Sequence, residues 1–325
     1  MIKKIKILEK EAGERLDVFL AITFPEYSRS YFSKLIKEGD ITIDNKKSKS
    51  SYKINMGDEI IINFIESPQT DLLPEEIKLD IIYEDENVIV VNKQAGIVVH
   101  PAAGNFSGTL VNALLHHFPK ISEAVYDKNS EVSRIRPGLV HRLDKDTSGA
   151  LIVAKNPRAM HSLSRQIQNR TVKKTYIALC YNWPKKASGE LVSHLGRHPK
   201  NRKLIAHIGP TKGKEAISNY EALNYYEDDD HNKYCLIKFD IKTGRTHQIR
   251  VQTADMGSPV MGDKAYGNKK TLELSEKLGI KRQLLHAKTL SITLPGNTRP
   301  SIFDAPLPQD IKETLSRLVE IKYER

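Results

Sequence analysis

The stretch GLVHRLDKDTSG at residues 138–149 runs directly into the apolar segment ALIVA at residues 150–154. Its polar members are crowded between apolar residues, so we expect them to form a tight connection held by buried strands. In this stretch Asp144 alone is both a potential nucleophile and directly preceded by an apolar residue, Leu143, which can partly bury its carboxylate. The alternative is a plain polar hairpin turn, because Asp, Thr, Ser and Gly are common turn residues.

Length and charge bound the architecture and the partners. The chain has 325 residues, of which 39% are hydrophobic, and this length exceeds the usual size of one domain. We therefore expect two domains. The formal net charge of +11 suits a polyanionic partner, although many basic proteins bind no nucleic acid.

The cysteines and the N terminus predict the compartment. Cys180 and Cys235 have no metal-ligand or redox spacing and lie in apolar runs, so we predict buried free thiols and a reducing cytoplasm. The N terminus alternates lysine with isoleucine instead of forming a secretory signal, and no segment approaches membrane-spanning length. We expect a soluble protein without a membrane partner.

Residues 1–65 predict a small α/β module. We predict helices at residues 15–24 and 30–38, a helix cap at Ser28, and strands at residues 41–43 and 59–64. The motifs RLD at 15–17, SRS at 28–30, LIKEGDI at 35–41 and GD at 57–58 resemble the small RNA-binding module named after ribosomal small-subunit protein four.

This resemblance implies an RNA-binding surface on the second helix and the loop after it. The matching basic residues are Arg29, Lys34 and Lys37, followed by Lys46, Lys47 and Lys49. Lysines at this density suit phosphate contacts better than base reading. The alternative is a solvated helix face.

A linker and a larger domain are expected after this module. Prolines and polar residues break the periodicity at residues 66–76, and residues 77–325 form the larger domain. We predict strands at 79–83, 88–92, 149–154, 176–181, 236–241 and 290–294, and helices at 108–117, 158–169, 247–256 and 310–323. Because the two do not alternate regularly, we predict an α+β fold with a mixed, mainly antiparallel central sheet flanked by helices and loops.

Three polar clusters of this domain are candidates for one site, since such sites draw on distant parts of a chain. The first is residues 141–144. In the second, Tyr176 starts an apolar strand and could present its ring to a planar ligand, with a buried core tyrosine as the alternative. In the third, Arg245 lies at a strand-to-helix junction and could hold a buried carboxylate in a bidentate pair, with a surface arginine as the alternative.

Several long motifs occur together with these clusters. They are residues 138–155, KTYIA at 174–178, GRTHQIR at 244–250, PVMGDKAYG at 259–267, LHA at 285–287, VNKQAGIVVHP at 91–101 and GTLVNALL at 108–115. Their order resembles the RluA/RluD class of pseudouridine synthases over nearly all of residues 75–310. The chain departs from that pattern at DMGS (255–258) and ISNY (217–220), which blurs the identity of the RNA target.

The resemblance implies a pseudouridine synthase fold and an enzyme that isomerises specific uridines in RNA, with large-subunit ribosomal RNA as the expected target. It implies no cofactor and no metal. In this class an aspartate acts as nucleophile or base toward the ribose, and Asp144 matches it. Arg245 matches the basic residue that pairs with that aspartate, and Tyr176 the aromatic residue that stacks on the uracil.

The resemblance also assigns the residues around Asp144. A uracil inside folded RNA must be flipped out before it can react, and Arg142 matches the arginine that enters the RNA at the vacated position. His141 is expected to orient the loop or to contact RNA. Asp146 is expected to fix the turn.

Other functions remain open at this point. A synthase acting on transfer RNA and a non-catalytic RNA-binding ribosome-assembly factor both suit the basic charge. A base-releasing hydrolase would commonly use two carboxylates, and Asp144 has no obvious acidic partner in the sequence. Metal-dependent hydrolysis lacks a motif, since the histidines are scattered. One chain holds every motif, so we expect a monomer.

Overall fold

The computed structural model describes residues 2–24, 29–64, 72–101, 105–126 and 131–322. The chain divides into two compact units, one formed by Met1–Leu73 and Val125–Pro137, the other by Pro74–Ala124 and Gly138–Arg325. Most of the expected linker at 66–76, like the expected helix cap at Ser28, lies outside the described residues. The domain bounds given above therefore stay predictions.

Residues 2–64 form a four-stranded sheet with two helices. The elements are β1 (Ile2–Lys6), α1 (Leu16–Thr23), α2 (Arg29–Glu38), β2 (Ile41–Ile43), β3 (Lys46–Lys47) and β4 (Glu59–Asn63), with a 3-10 turn at Glu9–Glu11. The sheet order is β1-β4-β2-β3, and all its pairs are antiparallel. Alternate residues Ile60 and Ile62 of β4 are buried beside Phe32, Leu35 and Ile36 of α2. The predicted helices and strands of this module are confirmed.

The remaining residues contribute the other helices and strands. In chain order these are β5 (Ile81–Glu84), β6 (Val88–Lys93), α3 (Leu110–His117), α4 (Glu131–Arg134), β7 (Ser148–Ala154), α5 (Pro157–Gln168), β8 (Lys173–Tyr181), β9 (Ser188–Arg197), β10 (Ile205–His207), β11 (Lys214–Glu227), β12 (Lys233–Ile241), α6 (Gln248–Asp255), α7 (Lys269–Lys277), β13 (Leu285–Ile292), β14 (Ser301–Asp304), α8 (Gln309–Ser316) and β15 (Val319–Ile321). All but α4 belong to the second unit.

The second unit is built on one large sheet. Its described strands follow the order β10-β9-β11-β12-β8-β13-β7-β6-β5, with β14 added to β13 and β15 added to β11. Neighbouring strands are antiparallel except β7 and β13, which run parallel. The predicted mixed, mainly antiparallel α+β fold is confirmed.

The centre of the sheet is apolar throughout. All seven residues of β7 are buried, as are the first four of β6. Cys180 of β8 and Cys235 of β12 lie opposite each other as buried free thiols, which confirms that prediction. Burial raises the pKa of both thiols.

The structure corrects the predicted C-terminal helix at residues 310–323. The helix ends at Ser316, and Val319–Ile321 instead pair with β11 as strand β15. Strands β9 and β11 were missed because polar residues interrupt their apolar ones and many of their residues are exposed.

Candidate active site

Asp144 lies on the loop that leads into β7, and the side chains of Lys93 and Arg282 hold this loop by its backbone. Lys93, at the end of β6, is buried and donates to three carbonyl oxygens, one of them that of Lys145 at 2.9 Å. Arg282 donates to the carbonyl of Asp146 at 2.9 Å. Lys145 and Asp146, the two residues that follow Asp144, are therefore held through their backbone carbonyl oxygens. This limits the positions open to the Asp144 carboxylate.

The start of β7 also depends on a close approach to β13. Gly149 has φ +116°, and a Cβ there would lie 2.2 Å from the carbonyl oxygen of Ala287. Beside it, the Ser148 hydroxyl and His286 Nδ1 are 2.9 Å apart in the core. Only glycine fits where the two parallel strands meet, so the sequence Thr147-Ser148-Gly149 fixes where the loop ends.

Asp144 faces a cavity of about 430 Å³ within the second unit. Residues from the loop before β7, from β8 and from the β12–α6 connection line it, among them Arg142, Tyr176 and Arg245. The structure thus brings together the three polar clusters that the sequence singled out. The volume lies in the usual range for small-ligand sites, large enough for one flipped nucleobase with its sugar.

Arg250 in the first turn of α6 is the direct partner of Asp144. Its Nη1 lies 3.0 Å from Asp144 Oδ2, while its Nε and Nη2 bond both carboxylate oxygens of Asp263 at 2.6 and 2.8 Å. Asp263 is fully buried and also accepts the backbone N–H groups of Ala265 and Tyr266. The two carboxylates raise the pKa of Arg250 against the opposing effect of its burial. The guanidinium is therefore permanently charged and held in one orientation.

The expected pairing of Arg245 with Asp144 is wrong. Arg245 lines the cavity, but its Nε donates to the carbonyl oxygen of Glu215 at 3.0 Å. Arg245 lies before the start of α6, whereas Arg250 lies within the helix and its side chain projects toward the loop that carries Asp144. Which arginine of the motif reaches Asp144 depends on the rotation of α6 about its axis. That rotation is set where the helix begins, directly after His247, which has a left-handed conformation with φ +55°.

His247 is a second neighbour of the carboxylate. Its Nε2 lies 3.7 Å from Asp144 Oδ2, and its Nδ1 lies 2.7 Å from the hydroxyl of Tyr266. Burial lowers the pKa of His247, so the ring is neutral at pH 7. A proton on Nε2 suits the carboxylate, and Nδ1 then accepts from Tyr266.

Tyr176 reaches the cavity from β8. It is buried between the neighbouring strands, opposite Phe239 of β12 and Ala287 of β13, and its hydroxyl has no hydrogen-bond partner among the described residues. Burial and the Asp144 carboxylate raise the pKa of this hydroxyl. A neutral phenol that lines a cavity can stack on a base and carry a proton.

The other cavity residues of the loop have distinct surroundings. Arg142 is exposed at the cavity. His141 accepts the backbone N–H of Ile152 at its Nε2, and burial together with Lys174 holds its pKa well below the usual range. Burial also lowers the pKa of Lys174 to about 8, and no acidic side chain of the described residues pairs with it. His141 thus orients the loop against β7; whether it contacts RNA stays a prediction.

The expected RNA-binding residues of the first unit lie on α2. Lys34 and Lys37 are exposed and one helical turn apart. Arg29 bonds the buried carboxylate of Asp17 at 2.8 Å while its side chain stays 55% exposed. Its contact with RNA stays a prediction, as do those of the two lysines.

Sequence reasoning missed the polar network that seats α6. Gln248 and Gln252 are buried and bond Ser218, with further bonds from Gln252 to the carbonyl oxygens of β9 and β11. Arg250 and Asp263 were present in the quoted motifs, but neither received a role. The sequence offered one signal for this network, which is the spacing of three polar residues at 248, 250 and 252 in a helix with no apolar face.

Two regions of the chain match known protein families. Residues 87–255 match the RNA pseudouridylate synthase family, and residues 14–60 match the S4 domain. The chain therefore belongs to the RNA pseudouridylate synthase family and is an isomerase that acts on RNA.

Curated relatives cover nearly the whole chain. An RNA pseudouridine synthase of Chlorobaculum parvum is 40% identical over 94% of this chain and 94% of its own length. The ribosomal large subunit pseudouridine synthase D of Neisseria meningitidis serogroup B is 41% identical over 94% of this chain and 79% of its own length. Among solved structures, human RNA pseudouridylate synthase domain containing 1 matches with a TM-score of 0.56 and 25% identity, covering 74% of this chain and 86% of that one.

The described residues contain neither a metal-binding cluster nor a membrane-spanning helix. Among the described residues, no group of three or more His, Cys, Asp or Glu side chains is arranged to hold a metal ion. Within the same residues, no helix has the length and apolar character needed to cross a bilayer.

Proposed function

We propose that this enzyme converts specific uridines of large-subunit ribosomal RNA to pseudouridine, with Asp144 as the group that acts on the ribose. The observation that carries the proposal is the placement of Asp144 in a cavity of about 430 Å³, against a guanidinium fixed by a second carboxylate. The name of the Neisseria meningitidis relative supports the choice of ribosomal RNA.

The reaction is an isomerisation, so substrate and product have the same atoms and no co-reactant is needed. The bond from ribose C1′ to uracil N1 breaks, the uracil turns, and a bond from C1′ to C5 forms. The proton on C5 leaves, and N1 gains a proton. Asp144 serves either as nucleophile at C1′ or as base toward the ribose. Its ion pair with Arg250 holds the carboxylate in the orientation that faces the sugar.

Tyr176 and Arg142 supply the binding steps of this proposal. The Tyr176 ring on the cavity wall holds the detached uracil by stacking, and its neutral hydroxyl is available for proton transfer. The exposed Arg142 fills the space that the flipped uridine leaves in the RNA. Flipping costs a few kcal/mol, which such a replacement contact offsets in part.

The second candidate target is transfer RNA, which needs the same chemistry.

The cavity is lined by one unit of one chain, so we expect the enzyme to act as a monomer. Its buried thiols suit the reducing cytoplasm.

Tritium on uracil C5 tests both the activity and the target. The full chain is incubated with 5-tritiated unmodified transcripts of large-subunit ribosomal RNA, small-subunit ribosomal RNA and transfer RNA, and release of the label into water is counted. We expect release from the large-subunit transcript. Release from transfer RNA alone would replace the target, and no release from any of the three would contradict the proposed reaction.

A further inference from the structure

A strongly basic segment of the second unit has no role in the chemistry above. From residue 191 to residue 214 the chain has six Lys or Arg and no Asp or Glu. The segment covers most of β9, the turn at residues 198–204, β10 and the connection to β11. We call residues 198–204 the β9–β10 turn. It carries Lys200, Arg202 and Lys203, all exposed.

These three side chains differ from Lys238 and Lys242 of the same sheet. Lys238 and Lys242 on β12 and its end bond Glu221 and Glu190 at 2.8 and 2.6 Å. No acidic partner among the described residues pairs with the three cations of the turn. Their charge is therefore available to an external anion at little desolvation cost.

The backbone of the β9–β10 turn is fixed by its own polar groups. His198 Nδ1 accepts the N–H groups of Lys200 and Asn201 at 3.2 and 3.0 Å. Arg197 Nη1 donates to the carbonyl oxygen of Arg202 at 2.7 Å. Because the turn is held by residues other than the three exposed cations, it presents these cations from an ordered backbone.

The turn is tied to the catalytic carboxylate by a short chain of polar contacts. Ile205, the first residue of β10, donates its N–H to the Tyr266 hydroxyl at 2.9 Å. That hydroxyl lies 2.7 Å from His247 Nδ1, and His247 Nε2 lies 3.7 Å from Asp144. The exposed cations therefore lie on the turn directly before Ile205, which is linked through Tyr266 to His247 of the cavity wall.

We infer that the β9–β10 turn is a phosphate-docking element, which binds the backbone of the substrate RNA beside the uridine in the cavity. An RNA whose target uridine enters the cavity carries phosphates on both sides of that uridine, and fixed lysine and arginine side chains suit them. The docking acts on affinity and register and does not touch the reacting atoms. The inference rests on the RNA substrate of the proposed function.

The test compares two triple variants with the same loss of charge. The first is Lys200→Gln, Arg202→Gln, Lys203→Gln, which leaves Arg197, His198 and Asn201 to hold the turn. The control is Lys269→Gln, Lys270→Gln, Lys281→Gln, whose residues are also exposed and belong to the same unit. Affinity for unmodified large-subunit ribosomal RNA is measured by filter binding from 50 to 300 mM salt, and tritium release gives KM and the single-turnover rate.

For the turn variant we expect a KM about tenfold higher and a salt dependence of log affinity shallower by about two to three. The single-turnover rate at saturating enzyme should stay within about twofold of the original, because Asp144 and its partners are unchanged. Lys200→Arg with Lys203→Arg should retain the original affinity, since the charge is kept. The control variant should stay close to the unmodified protein in every readout.

Three results would overturn the inference. One is a turn variant whose KM and salt slope equal those of the control variant. Another is a loss of single-turnover rate without a change in KM, and the last is loss of affinity in the arginine variant. Filter binding requires no turnover, so a protein that binds RNA through the turn but releases no tritium would refute the proposed reaction and leave the docking element standing.

Discussion

The guanidinium of Arg250 is bonded to Asp144 at the cavity and to the buried Asp263, whereas the cations of the β9–β10 turn have no acidic partner among the described residues. The first charge is buried and fixed in direction, and the second group is exposed on long side chains over an ordered backbone. A fixed charge stabilises a reacting group without reorganisation, while free surface cations gain from each phosphate they meet. The comparison separates the residues that should control turnover from those that should control affinity.

After Asp144 itself, the largest effect is expected at Arg250. Arg250→Met removes the partner of Asp144 and leaves the buried Asp263 without its cation. We expect tritium release to fall by about 10²- to 10³-fold and the free energy of unfolding to fall by about 3–5 kcal/mol. Single-turnover assays and urea unfolding measure the two.

The matched control for this change is Arg245→Met. Arg245 lies in the same motif, but its side chain bonds only the carbonyl oxygen of Glu215 among the described residues. We expect a smaller loss of activity and a change in stability of about 1 kcal/mol. An equal or greater loss of turnover at Arg245 would restore the pairing first expected from the sequence.

Tyr176 should affect turnover through its ring. Tyr176→Leu removes the stacking surface and the hydroxyl from the cavity wall, and we expect the single-turnover rate to fall by about 10²-fold. Tyr176→Phe keeps the ring and should retain about tenfold more activity than the leucine variant. A leucine variant with full activity would remove Tyr176 from the site.

The partly buried ammonium of Lys174 predicts a pH dependence of stability. Its pKa is lowered to about 8, so between about pH 8 and pH 10.5 the unfolded chain holds a proton that the folded chain has released. The cost of burying the charge is thus fully present below pH 8 and decreases as pH rises through that interval. Lys174→Met should be more stable than the unmodified protein by about 1–3 kcal/mol at pH 7, with a smaller difference at pH 10.

Urea unfolding at pH 7 and pH 10 measures this difference. Lys173→Met is the control, because Lys173 is the exposed neighbour on the same strand. It should show no such change with pH. A constant difference for Lys174→Met at both pH values would mean that the lysine carries no buried charge at pH 7.

The smallest effect is expected on α2 of the S4 domain. Lys34→Gln with Lys37→Gln removes two exposed charges of the surface predicted to bind RNA. RNA affinity should fall by about threefold, with a salt slope shallower by about one to two and an unchanged single-turnover rate. Lys6→Gln with Lys10→Gln is the charge-matched control; identical curves for both pairs would leave α2 without a specific role in binding.

The sequence predicted much of the fold because its central strands are apolar runs. Residues 149–154 and 88–92 were recognisable from hydrophobicity alone, and the α+β class followed from the lack of a regular alternation of strands and helices. Strands β9 and β11 were not recognised because polar residues interrupt their apolar ones, and β10 is only three residues long. The β9–β10 turn was missed with them.

The site could be predicted only at the level of motifs. Asp144, Tyr176 and the GRTHQIR motif converge on one cavity as expected. The partner of Asp144 depended on which side of α6 faces the loop, and that is set by the left-handed residue His247 and by buried bonds of Gln248 and Gln252. The polar residues at 248, 250 and 252 were a local signal for buried contacts of α6, but their spacing does not specify the partners.

The central claim is that the carboxylate of Asp144 performs the chemistry, and Asp144→Asn tests it most directly. Single-turnover tritium release at saturating enzyme is measured with RNA affinity on the same preparation, and Asp146→Asn, two residues along the loop, is the control. We predict at least about 10³-fold slower release for Asp144→Asn, an RNA affinity within about threefold of the unmodified protein, and near-normal release for Asp146→Asn. Near-normal release by Asp144→Asn would contradict the account.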